Sequence, residues 1–156
     1  DWDNQLESME NGWPSFFKVL HSYLANFRGQ SCVSFRINGT TTESPEAAWT
    51  KLKSALAIAE PPVGSRIVAA GGSPGFAGTV DRVGAPASPH ELSVVMDAPA
   101  PGLAVFGTYS WGGRTQVALH LYHYGDQASK AAATEAAWQA WMEGVFPKVE
   151  EAGANP

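Results

Sequence analysis

The chain has 156 residues, of which 44% are hydrophobic and only 16% are charged, and its net charge at pH 7 is −5. This length fits one domain, which can bury about 70% of the surface of its unfolded chain. Lysines and arginines are scattered, so we expect no nucleic-acid partner, because binding to a phosphate backbone requires clustered cations. The apolar stretches fall well short of the about 20 residues that span a bilayer, so we expect no membrane partner.

The chain contains a single cysteine, Cys32, which lies in a predicted strand and cannot form an internal disulfide. We expect it to act as a small buried apolar side chain, in keeping with a reducing, cytoplasmic compartment. No basic segment followed by an apolar one opens the chain, so the sequence predicts no signal peptide. The chain begins at Asp1, which we interpret as the start of a fragment or as the first ordered residue of a longer protein.

Apolar residues in the first 29 positions recur at steps of three and four, which predicts an amphipathic helix that ends at Gly29. Pro14 lacks an amide hydrogen, so we expect the helix to kink or to restart there. An apolar stripe of this kind most often packs in a core. If it is exposed, it would instead form a homodimer contact or a packing surface for a partner. The stripe consists of Trp2, Leu6, Met9, Trp13, Phe16, Phe17, Leu20, Leu24 and Phe27.

The remaining elements alternate between short strands and helices. Ser44, Pro45 and Glu46 have the pattern of an N-cap, a first-turn proline and a first-turn acid, which predicts a second helix. Short connections rich in glycine and proline predict an antiparallel meander. An alanine-rich segment from Ala128, with an apolar stripe that continues to Phe146, predicts a closing helix. The predicted strands are 31–38, 66–70, 76–83, 91–97, 103–110 and 114–124.

This order of elements predicts an α+β fold of the helix-grip type. A curved antiparallel sheet of about six strands would wrap around the long C-terminal helix, with an additional N-terminal helix. We expect residues 1–29 to form the N-terminal helix, 30–147 the domain and 148–156 a flexible tail.

The longest predicted strand, 114–124, has two different faces. One face carries apolar residues such as Leu119 and Leu121, together with His123, and the other carries His120 and Tyr122. We expect the second face to line a ligand cavity, where its polar tips could bind a ligand oxygen. The alternative is that these residues lie on the surface or are satisfied in the core. His120 and His123 point in opposite directions, so we expect no metal site.

The element order resembles that of the START-like (Bet v 1-like, SRPBCC) superfamily, and within it the Hsp90-ATPase-activator-homologue-like branch. The resemblance depends on Ser44-Pro45-Glu46-Ala47-Ala48-Trp49 after the first strand and on the closing amphipathic helix. The family usually has seven strands, one more than predicted here. A second departure is that Asn11-Gly12-Trp13-Pro14 resembles the family's C-terminal helix but comes first. The segment would then be the remnant of a preceding tandem domain, or part of a rearranged single domain.

The resemblance implies a cavity for a hydrophobic or aromatic small molecule, bound without a cofactor. Some relatives are polyketide cyclases or aromatases, some protect enediyne producers by sacrificing their own backbone, and eukaryotic relatives stimulate Hsp90. For a sacrificial role, the candidate cleavage positions are Gly107, Gly112 and Gly113. The sequence shows no acid–base pair, which favours a binding module over a cyclase. Such a module would act in natural-product biosynthesis or self-resistance. A protein-interaction module is the other alternative. The expected ligand-binding residues are Trp49, Phe76, Met96, Phe106, Tyr109, Trp111, His120, Tyr122, Trp138 and Met142.

Overall fold

The structure is a computed structural model that describes residues 16–86 and 88–148. The chain divides into two compact units, Asp1–Ser31 and Cys32–Pro156. The boundary between them lies two residues from the predicted domain start at residue 30.

The first unit contains helix α1, whose described part covers residues 16–26. Gly29 follows with φ +81°, a conformation that terminates helices and that favours glycine. Phe16, Phe17 and Leu24 are exposed, whereas Phe27 is buried. The apolar stripe predicted before residue 16 lies outside the described residues.

The second unit is built on one antiparallel sheet of six strands, which confirms the predicted number. The spatial order is β1-β6-β5-β4-β3-β2, so the meander runs from β2 to β6 and the two edges are β1 and β2. The sheet is curved and does not close. The strands are β1 (Cys32–Thr41), β2 (Arg66–Ala69), β3 (Phe76–Ala85), β4 (Ser88–Ala98), β5 (Gly102–Trp111) and β6 (Arg114–Tyr124).

Helix α2 (Pro45–Ala55) begins as the sequence predicts. The Oγ of Ser44 accepts a hydrogen bond from the backbone N–H of Ala47 at 3.2 Å, which satisfies a free donor of the first turn. Pro45 occupies the first turn, where its missing N–H costs nothing.

The predicted closing helix is present as two segments, α3 (Ala128–Ala132) and α4 (Glu135–Val145). Both the backbone N–H and the side-chain hydroxyl of Thr134 donate to the carbonyl of Ala131, at 3.2 and 2.7 Å. A threonine that bonds the backbone three residues earlier competes with regular helical hydrogen bonding. The high helix propensity of the flanking alanines does not overcome this local bonding.

The three helices α2, α3 and α4 pack on one face of the sheet, which we call the concave face. Trp138 of α4 is 1% exposed, and its ring centroid lies 6.2 Å from that of Phe76. Trp49 of α2 lies 5.8 Å from Phe106. Each fully buried large apolar side chain of this kind contributes about 1.5–3 kcal/mol, so these rings dominate the stability of the unit.

Helix α4 lies between the two edges of the sheet. On one side it approaches β1 at Gly39, where an added Cβ would lie 3.2 Å from the Sδ of Met142 and 3.3 Å from the Cβ of Phe146. On the other side, the Nε1 of Trp141 donates to the carbonyl oxygen of Gly71, in the turn after β2, at 3.4 Å. The helix therefore contacts both margins of the curved sheet.

Candidate ligand-binding site

A depression of about 490 Å³ lies where the junction of α3 and α4 overhangs the edge strand β1. The depression is shallow and largely open to solvent, whereas ligand sites of about 300–1,000 Å³ usually enclose most of the ligand. Three alanines contribute to this surface, and their short side chains leave the space open. The lining residues are Ile37, Ala132, Ala133, Glu135, Ala136 and Gln139.

The rim of this depression offers hydrogen-bond acceptors from its polar side chains. Glu135 and Gln139 are four residues apart on α4 and therefore share one side of the helix. The Nε2 of Gln139 donates one of its two hydrogens to the Oε1 of Glu143 at 3.0 Å, and its carbonyl oxygen is an acceptor. The carboxylate of Glu135 is also an acceptor. A ligand at this rim is favoured if it donates hydrogen bonds.

Six of the ten predicted ligand-binding residues belong to the buried core instead. Their rings and side chains fill the space between sheet and helices, and none of them lines the depression beside β1. Trp49 also borders a separate crevice of about 40 Å³, which has room for only about one water molecule. Contact of these residues with a ligand stays a prediction. The six are Trp49, Phe76, Met96, Phe106, Trp138 and Met142.

The other four predicted residues, Tyr109, Trp111, His120 and Tyr122, lie on the opposite, convex face. The predicted orientation of strand 114–124 is wrong, because β6 buries Leu119 and its apolar neighbours under the helices and turns His120 away from them. A period of two fixes which residues share a face, but not which face the helices cover. The more apolar face is buried because its burial gains more free energy.

His120 and Tyr122 form a stacked pair on this convex face. Their ring centroids are 4.0 Å apart with an interplanar angle of 28°, and the Tyr122 hydroxyl lies 2.9 Å from the Nδ1 of His120. Burial, and secondarily the charge of Arg36, lowers the pKa of His120 below its ordinary value. Burial also raises the pKa of Tyr122. Both rings are therefore neutral at pH 7.

None of the predicted cleavage glycines lines the depression. Gly107 is in β5, where an added Cβ would lie 2.4 Å from the carbonyl oxygen of His90, so the close approach of β4 requires glycine. Gly112 and Gly113 form the predicted two-residue hairpin loop, with φ of +60° and +74°. Backbone cleavage at these three positions stays a prediction.

His123 is a polar residue whose setting the sequence did not reveal. It is 1% exposed on the concave face, 5.9 Å from the ring centroid of Phe35, and neither ring nitrogen has a hydrogen-bond partner among residues 16–86 and 88–148. Burial lowers its pKa below the ordinary value. A buried polar group without a partner costs about 1–3 kcal/mol, which makes His123 a position for testing core stability.

The residues that line the depression were not among the predicted site residues. The only sequence signal for them is the run of small side chains at positions 131–133 and 136–137, which the high helix propensity of alanine already explained. No group of three metal-ligating side chains converges within residues 16–86 and 88–148. Over the same residues, no helix is long and apolar enough to cross a membrane.

No protein-family model and no curated protein matches the sequence. Solved structures do match in fold. The crystal structure of protein MLL2253 from Mesorhizobium loti has a TM-score of 0.55 at 15% identity, over 72% of this chain and 93% of that one. The Aha1 dimer from Colwellia psychrerythraea has a TM-score of 0.53 at 14% identity, over 72% and 92%.

A third similar structure is DynU16, a protein of the dynemicin biosynthetic locus. It has a TM-score of 0.50 at 12% identity, over 70% of this chain and 45% of that one. Identities this low establish the fold and nothing further. The six-stranded sheet, the helices on its concave face and these matches give one conclusion: the chain has the START-like (Bet v 1-like, SRPBCC) helix-grip fold.

Proposed function

We propose that this protein binds an apolar or aromatic small molecule in the depression between β1 and the α3–α4 junction. The observation that carries the proposal is an open volume of about 490 Å³ with an aliphatic surface beside acceptor groups. Ala132 and Ala136 supply apolar contact, and the desolvation of the ligand provides most of the binding free energy.

The rim chemistry narrows the class of ligand. Glu135 and the carbonyl of Gln139 accept hydrogen bonds, so a hydroxyl or amino group on the ligand is favoured over a carboxylate. An anionic ligand would lie beside the carboxylate of Glu135, where charge repulsion weakens binding.

The proposal is tested with N-phenyl-1-naphthylamine, an apolar amine whose fluorescence rises in an apolar site. Ala136→Trp fills the depression and is expected to abolish the rise, whereas Ala137→Trp is the matched control. Ala137 is exposed on the same turn of α4 and does not line the depression. Equal binding by both variants and the unchanged protein would contradict the site, and so would the absence of a saturable signal.

We extend the proposal to sequestration of a natural product, with support from one fold relative, DynU16 of the dynemicin biosynthetic locus. In a sacrificial form of this role, an enediyne cuts the backbone at a glycine. Gly112 and Gly113 do not line the depression, but no atom of the described residues lies within 4 Å of an added Cβ there, so an enediyne that is free in solution can reach them. Incubation with an enediyne, followed by intact-mass measurement, is expected to show one discrete cut there. Undirected fragmentation, or none, would contradict this role.

Catalysis of the cyclase type lacks comparable support. Acid–base chemistry requires two groups of matched pKa that both reach the substrate. Among the residues that line the depression, Glu135 is the one with an ionisable side chain. We therefore propose binding without turnover at this site.

A further inference from the structure

On the convex face, Arg36 of β1 carries a positive charge that has no acidic partner within residues 16–86 and 88–148. Its Nη2 donates to the hydroxyl of Tyr109 at 3.1 Å, and its Nε donates to the Oδ1 of Asn38 at 3.0 Å. These two bonds fix the plane of the guanidinium and leave further N–H groups for another partner.

The same face shows how an exposed arginine is satisfied when a carboxylate is present. Arg66 lies on the other edge strand and forms a two-point ion pair with Asp97, in which its Nη2 donates to the Oδ1 at 3.0 Å. Guanidinium groups match carboxylates in this paired geometry better than any other side chain does. Arg36 is also exposed, but among the described residues it bonds only neutral oxygens.

The groups beside Arg36 complete a surface for a flat, negatively charged ligand. His120 is directly opposite Arg36 in the pairing of β1 with β6, but it lies six positions, about 20 Å, along the sheet from Trp111, so one small ligand cannot contact both. Tyr109 and Trp111 are 44% and 62% exposed. They are two positions apart on β5, so they project from one face about 7 Å from each other. Aromatic side chains at this spacing can contact a ring.

We propose that the Arg36 surface, formed by Arg36, Tyr109 and Trp111, binds the carboxylate of an aromatic acid. The free N–H groups of the guanidinium hold the carboxylate beside the Tyr109 hydroxyl. The exposed rings of Tyr109 and Trp111 contact the aromatic part. This site is independent of the depression beside β1. It selects an anion, whereas the rim of the depression selects a hydrogen-bond donor.

The test titrates 2-naphthoate into the ¹⁵N-labelled protein at low ionic strength, with chemical shifts of the backbone amides as the readout. We expect saturable shifts in β1, β5 and β6 but not in α3 or α4. Arg36→Gln is expected to weaken binding at least tenfold, since it removes the charge that holds the carboxylate. The matched control Arg66→Gln removes another exposed arginine from the same face and should leave binding unchanged.

A second ligand and a second variant separate the contributions. 2-Naphthalenemethanol has the same rings without the charge and is expected to bind at least tenfold more weakly than 2-naphthoate. Tyr109→Phe keeps the ring but removes the oxygen that orients Arg36, so it should weaken binding less than Arg36→Gln does. The proposal is overturned if Arg36→Gln binds 2-naphthoate as well as the unchanged protein does. It is also overturned if the shifts map to α3 and α4, or if no saturable binding occurs.

Discussion

The two faces of strand β6 differ in what they contact, although they alternate along one chain segment. On the concave face, Leu119 and Leu121 pack beneath the helices with almost no exposure. On the convex face, His120 and Tyr122 stack on each other beside Arg36. The first face belongs to the hydrophobic core cluster, whereas the second holds a stacked polar pair. Substitutions on the two faces should therefore affect different measurements.

The largest expected difference is between two tryptophans. Trp138→Ala empties a fully buried site on the concave face and should lower the free energy of unfolding by about 3–5 kcal/mol. Trp111→Ala removes a mostly exposed ring on the convex face and should change it by less than about 0.5 kcal/mol. Urea unfolding followed by circular dichroism measures both values.

A similar loss of unfolding free energy in the two tryptophan variants would contradict the difference between the faces. It would show that the convex face also contributes to the stability of the fold. Val117→Ala and Gln116→Ala provide a second pair at adjacent positions of β6, one buried and one half-buried. We expect Val117→Ala to lower the free energy of unfolding more than Gln116→Ala does, with smaller losses than in the tryptophan pair.

The next effect is a gain of stability. His123→Leu replaces a buried imidazole whose two nitrogens lack partners among the described residues, so it should raise the free energy of unfolding by about 1–2 kcal/mol. His120→Leu is the matched control on the convex face, where Nδ1 is already bonded to Tyr122. It should bring no gain. A loss of stability in His123→Leu would mean that the imidazole has a favourable contact in solution.

A smaller effect follows from the pH dependence of His123. Burial lowers its folded pKa below the ordinary value of 6.5, so the unfolded chain binds the proton more readily. The free energy of unfolding is therefore not reduced by His123 protonation above pH 6.5. It decreases as the pH falls below 6.5 toward and through the lowered folded pKa. Thermal unfolding between pH 7.5 and 5 should show a shallower decrease in His123→Leu. His120 has a lowered pKa as well, so part of the decrease should remain.

The smallest expected effect is local to the Arg36 surface. Arg36→Gln removes the positive charge that contributes to the lowered pKa of His120, so this pKa should rise. It should stay below 6.5, because burial is the larger cause. Histidine resonances in an NMR titration report the change, and Arg66→Gln serves as the control. An unchanged pKa would show that Arg36 is too far from the imidazole, or too well solvated, to act on it.

Much of the fold could be predicted from local patterns. The glycine-rich turns separate the strands, the capping pattern at Ser44 starts α2, and Gly112-Gly113 closes the last hairpin. Each of these signals depends on neighbours in sequence. The break at Thr134 was not predicted, because the propensity of the alanines around it favours one continuous helix.

The site was harder to predict than the fold for a physical reason. A depression is the volume that side chains leave empty, so it depends on how α3 and α4 meet β1 across a separation of about a hundred residues. Ala132 and Ala136 have no chemistry that marks them as site residues. The aromatic residues that do attract attention are used to fill the core. The alternation of side chains along β6 predicted which residues share a face of the sheet with His120. It did not predict which face the helices cover.

The position of α4 between the two margins of the sheet has a mechanical consequence. Met142 and Phe146 press against Gly39 at one margin, and Trp141 is bonded to Gly71 at the other. The helix thus bridges the two margins of the sheet. A side chain at position 39 would displace α4 from one margin, and loss of the Trp141 indole would free it from the other.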